Sequence, residues 1–196
     1  MTLDDFWNII GEARRSVEKT SEIPKWLEDR LSGLSEADIV DFGFHFHECR
    51  DAAFDARLWL SAVVIMGGCG DDSFDDFRGW LIAQGRDFFE SALADPDSLA
   101  DLPLECFEAD PRLEEMLSVG DLAYCRRVGR EFGVEARQNY YALQSRRNRP
   151  SLKNPELIRM SDEEAWKLFP KLAARFPSGI RSRQFDNDPP LFPRCD

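Results

Sequence analysis

The stretch DARLWLSAVVIMGGCGDDSFDDFRGWLIAQGRDFFESALA, residues 55–94, decides the fold class. From about Asp55 to Met66 it is apolar nearly all round, the pattern of a central helix covered by its neighbours. Gly67-Gly68-Cys69-Gly70 then stops it. Ser73, with Asp76 three residues on, has the form of a helix cap and predicts a long helix. Phe74, Phe77, Leu81 and Phe88 lie along one side of that helix, which fades before Asp95-Pro96-Asp97. Two helices in succession with no alternating strand pattern point to an all-α protein.

The flanks agree. Phe6, Ile9, Ile10, Ala13 and Val17 recur at three- and four-residue intervals, behind Thr2 and Asp5 as a cap pair. A second helix is predicted from Pro24, well placed in a first turn, to Leu31. Ser35 with Asp38 opens a third, with the seam Ile39, Phe42, Phe46 and Cys49. Three prolines and several acids make Asp95 to Pro111 read as a long loop. Helical character resumes over Arg112–Leu117, Asp121–Phe132 and Val134–Leu143, punctuated by Gly120 and Gly133. Ser161 with Glu164 caps a last helix to about Arg175, carrying Trp166, Phe169 and Leu172 and broken at Pro170. The reading is a single-domain helical bundle with an irregular C-terminal tail. Residues 1–145 form an acidic core domain, 146–176 a linker and C-terminal helix packing on it, and 177–196 an extended or disordered tail.

The segment GGCGDDSFDDFRGWLIAQGRDFFESALADPDSLA, residues 67–100, together with FWNII near the start and PKLAARF near the end, resembles the bacterial "domain of unknown function 4240" family. The likeness spans roughly residues 3–176 and is sharp only at 67–100. Family members often carry serine where this chain has Gly70. The resemblance implies a small, mostly helical bacterial domain and transfers no catalytic residue.

Composition excludes several classes. The 196 residues hold 25 Lys and Arg against 37 Asp and Glu, a net charge of −12. Charge is unevenly spread, with −18 over residues 1–125 and +7 over residues 126–194. The acidic body repels nucleic acid and anionic membrane, while the basic end is expected to fold back on it. The longest strongly apolar run, Leu58 to Met66, falls far short of the ~20 residues of a spanning helix. Acids stand where a signal peptide would be basic, so a cytoplasmic protein is expected. Cys49, Cys69, Cys106, Cys125 and Cys195 are odd in number, widely spaced and free of any CxxC pair. They read as idle or buried thiols rather than a disulfide framework or zinc ribbon.

The most chemical-looking cluster is Asp71, Asp72, Asp75 and Asp76. Its carboxylates could hold Mg or Ca through hard oxygen ligands. They could equally stabilise the positive end of a helix dipole, with Arg78 paired to a neighbouring acid. His45 and His47, about 200° apart on a helix, cannot form a metal pair. His45 and Cys49 are spaced as a possible dyad, and His47 is placed towards the buried stripe. The glycine-rich turn lacks the lysine and preceding strand of a phosphate loop, so it reads as a tight turn between packed helices. Tyr140 and Tyr141 beside Arg137, Arg146 and Arg147 make a candidate contact surface.

Two functions remain in view, neither with a complete catalytic set. The first is a non-enzymatic interaction or regulatory module without a cofactor, binding a basic protein partner. The second is a divalent-metal-dependent enzyme acting on a phosphorylated or nucleotide substrate, with Asp71–Asp76 holding the ion and Arg78 or Arg86 contacting phosphate. A homodimer is a further possibility, its many aromatics allowing an apolar interface.

Overall fold

The computed structural model describes residues 1–107, 111–130 and 150–177. Among the described residues the chain is helical throughout, with no strand and one isolated parallel bridge between Asp55 and Lys153. Helix α1 spans Leu3–Ser16, α2 Ile23–Leu31 and α3 Glu36–Ala52. Thr2 and Asp5 close a reciprocal capping box on α1, and the Ser35 side chain caps α3. All four residues of the α3 seam are buried, as the spacing predicts.

Helix α4, Ala56–Met66, is the central element. Leu58, Leu60, Val63, Val64 and Ile65 are each at most 2% exposed, so neighbours must cover it on every side. Two later helices do part of this, α8 (Asp162–Leu168) and α9 (Pro170–Arg175), split at the expected proline. Helix α4 ends at Gly67 in the left-handed conformation, confirming the tight turn.

Helix α5, Asp71–Ala83, starts three residues earlier than expected, and its N-cap is Gly70 rather than Ser73. Gly70 is extended there, so Asp71 and Asp72 enter the first turn and complement its exposed N–H groups. The long helix also divides. Gly85 has φ +99°, a conformation costly for any residue with a Cβ, and α6 (Arg86–Ala94) begins after it. The break resets the helical phase: Phe89 is buried, whereas Phe88, expected on the apolar side, is 39% exposed.

The expected loop after Asp95 holds two 3₁₀ turns, Pro96–Asp101 and Leu104–Phe107. A third, Glu114–Ser118, packs on α5, where a Cβ at Gly79 would lie 3.1 Å from the Leu113 carbonyl oxygen. Helix α7 covers Val119–Arg127, so Gly120 lies inside it instead of before it. It packs against α2 and α3.

Residues 150–177 pack on the preceding helices. Lys153 Nζ donates to the Ala52 carbonyl at 2.8 Å, and Asn154 donates to both Asp55 oxygens at 2.9 and 3.1 Å. The buried Asp97 carboxylate accepts the N–H groups of Lys171 and Leu172 at 3.1 and 2.9 Å, satisfying the start of α9. Ala165, Phe169, Leu172 and Phe176 then complete the core. Linker residues 146–149, tail residues 178–196 and Cys195 lie outside the described residues.

Candidate functional site

The end of α3 and the start of α5 meet beside Trp59 of α4 and leave a cleft of about 420 Å³. That volume lies within the range of small-ligand and side-chain pockets. Asp71, Asp72, Asp75 and Arg78 of α5 line it, as do Arg50 and Asp51 of α3. Phe54, Trp59, Phe74 and Pro150 supply its apolar wall. Pro150 comes from the returning C-terminal segment, so the cleft is built from both parts of the chain.

Arg78 organises this region. It is 5% exposed, and its guanidinium carbon lies 4.9 Å from the ring centres of both Phe54 and Phe74. One terminal nitrogen donates to the Arg50 carbonyl at 2.9 Å, capping an otherwise unsatisfied group at the end of α3. The other donates to Asp75. Burial pushes the guanidinium below its ordinary value, against the opposing pull of Asp75. The expected pairing of Arg78 with a neighbouring acid is therefore present. Trp59 stacks on Phe74, centroids 4.8 Å apart and planes 13° from parallel, and its indole N–H donates to the Cys69 carbonyl at 2.8 Å. The aromatic contacts continue inward through Phe77, Trp80 and Phe107 to Phe176.

The four aspartates divide. Asp75 is engaged by Arg78, while Asp71 and Asp72 stand exposed at the rim. Asp76 is not among the residues that line the cleft. Burial, then the nearby Glu114, push its carboxyl above the ordinary value, and Arg112 offsets only part of this. Among the described residues no three His, Cys, Asp or Glu side chains gather in a way that could hold a metal ion. Arg86 is not in the cleft either. It is exposed and pairs with Asp4 at 2.8 Å and Glu90 at 2.7 Å.

The residue pair His45 and Cys49 does not form an activated thiolate. Burial, with Glu48 adding to it, pushes the Cys49 thiol up to about 12, far from the range of a reactive cysteine. His45 is half-buried, its ring 6.1 Å from Phe6, and His47 is buried in α3 as its place near the apolar stripe predicts. Cys49, Cys69, Cys106 and Cys125 are all buried. Arg137, Tyr140, Tyr141, Arg146 and Arg147 lie outside the described residues.

Residues 1–126 match the family model described as "Protein of unknown function (DUF4240)". The chain belongs to the DUF4240 family. No curated protein and no solved structure matches it. The DUF4240 match contains all of the cleft except Pro150, and it ends where the net charge of the chain changes sign. The contribution of α3 and the turn after it to the cleft, Arg50, Asp51 and Phe54, carries no signal in local sequence. These residues matter because α3 ends against α5, a tertiary relation that no spacing rule encodes. Trp59 was visible only as one aromatic in an apolar helix.

Proposed function

We propose that this DUF4240 chain is a non-enzymatic interaction module whose α3–α5 cleft receives a basic segment of a protein partner. The observation that carries this reading is the rim of the cleft. Asp71 and Asp72 are exposed carboxylates on an aromatic-walled cavity, in a body of net charge −18 over residues 1–125. Such a surface steers cations towards it and gains from stacking them on aromatic faces. The Arg78 guanidinium already sits over two aromatic rings beside an aspartate, the mode of contact proposed for the partner.

The test is binding of a synthetic peptide of mixed lysine and arginine, measured across a salt series. Affinity should fall as salt rises. The double substitution Asp71→Asn with Asp72→Asn should weaken it roughly tenfold at low salt, while Asp87→Asn, an exposed acid outside the cleft, should leave it nearly unchanged. Equal losses in both variants would mean diffuse attraction to the acidic body and would refute the cleft. Affinity unchanged by added Mg²⁺ or Ca²⁺, beyond its effect on ionic strength, separates this reading from the metal-dependent one.

A further inference from the structure

Ala53, Phe54 and Asp55 form the turn between α3 and α4, and two residues of the returning segment bind it. The Lys153 N–H donates to the Phe54 carbonyl, and the Lys153 carbonyl accepts from the Ala56 N–H, both at 3.0 Å. The Lys153 ammonium reaches the Ala52 carbonyl, and the Asn154 amide holds the Asp55 carboxylate. Among the described residues Asn154 is the one non-glycine with a positive φ, +51°, a conformation that asparagine tolerates better than most. Phe54 carries this junction into the cleft. It lines the cleft, its ring centre lies 4.9 Å from the Arg78 guanidinium carbon, and it stacks on Phe74 with centroids 6.4 Å apart. Arg78 in turn holds the Arg50 carbonyl and Asp75. Pro150 stands in the same wall.

The far end of the segment is anchored elsewhere. Asp97 accepts the Lys171 and Leu172 N–H groups, and Arg175 donates to the Ala100 carbonyl. Asp97 does not line the cleft. Between the two anchors the helical pieces are short: Pro155–Arg159 has five residues, α8 seven and α9 six. Helices of that length are not stable alone in water, so their order depends on docking. We propose that residues 150–177 are a strap whose docking assembles the cleft. Docked, the strap fixes the turn, sets Phe54 against Arg78 and adds Pro150 to the wall. Undocked, it frees Phe54 and leaves the wall unformed. Any ligand of the assembled cleft, the basic segment proposed above included, therefore favours the docked strap, and loosening either anchor disfavours that ligand.

The experiment is native-state hydrogen exchange of the full chain, read by NMR without ligand. The reporters are the buried Arg78 Nε–H in the cleft wall, the Ala56 N–H at the junction, the Ala173 N–H in α9 and the Ile10 N–H in α1. Asn154→Ala removes the near anchor and Asp97→Ala the far one. Each variant should speed exchange of the Arg78, Ala56 and Ala173 protons together, by at least about tenfold, through a small population of open strap in a chain that still melts as one. The Ile10 rate should stay within about twofold of wild type. The decisive variant is Asp97→Ala, because it touches no residue of the turn. Faster exchange at Ala173 with Arg78 and Ala56 unchanged would show that the segment opens without the cleft, and overturns the proposal. Equal acceleration at all four protons, Ile10 included, would show one global opening and overturns it too, as would no change in either variant. Since no ligand enters the test, a failed strap leaves the interaction function standing, and absence of peptide binding leaves the strap to these exchange rates.

Discussion

Asp76 holds its charge at a cost. Burial and the nearby Glu114 raise its folded-state value, so the folded chain binds this proton more tightly than the unfolded one does. The stability linked to it is present at low pH and is lost as pH rises through the folded value. Asp76→Asn should therefore raise the melting temperature at pH 7, by roughly 2 °C or less, with the gain vanishing in acid. Asp55 behaves in the opposite sense. Burial pushes its carboxyl up, but hydrogen bonds from the Arg57 side chain, Asn154 and the Arg57 N–H outweigh that and hold it low. Its contribution is present above the unfolded value of about 3.9 and is lost as pH falls through the folded one. Asp55→Ala should cost about 2 kcal/mol at pH 7, because it also removes the cap of α4. The gap between wild type and variant should narrow below about pH 4 in denaturant titrations.

At the scale of elements, α5 shows what local sequence encodes and what it omits. Its apolar face was legible, because Phe74, Phe77 and Leu81 repeat at helical spacing and all three are buried. Its start was not. Ser73 and Asp76 have the same four-residue pattern as Ser161 and Glu164, yet only the latter form a capping box. The competing signal was Gly70 followed by two acids, which lets the helix begin earlier. Ser161→Ala should cost about 1 kcal/mol and Ser73→Ala close to nothing, a difference readable from paired chemical denaturation curves. The break at Gly85 was also hidden, since one glycine within a periodic run is often tolerated. Of the candidate site, the α5 carboxylates and the Arg78 pairing were legible in sequence. The α3 and α4 walls were not, because they meet α5 only in three dimensions. Arg78 joins these elements through one carbonyl, one carboxylate and two rings. Arg78→Leu should destabilise the chain by roughly 2–3 kcal/mol, stranding the Arg50 carbonyl as well as removing a charged donor.

At the scale of the whole molecule, the family match and the folded unit do not coincide. The match ends at residue 126, while α4 is covered in part by α8 and α9 beyond it. Leu172, fully buried on α9, ties that segment to the core. Leu172→Ala should cost about 2–4 kcal/mol and lower a single cooperative melting transition. Separate melting of the C-terminal segment would show instead that it only rests on the core. Among the described residues no helix is long and apolar enough to cross a membrane, and the cleft proposed above to receive a basic segment is lined from both parts of the chain. The most direct test is hydrogen–deuterium exchange of the full chain with and without a saturating basic peptide. The account predicts added protection concentrated at the end of α3 and the start of α5, around residues 50–54 and 70–75. Protection spread evenly over the acidic surface, or centred on the Asp4–Arg86 face instead, would contradict it.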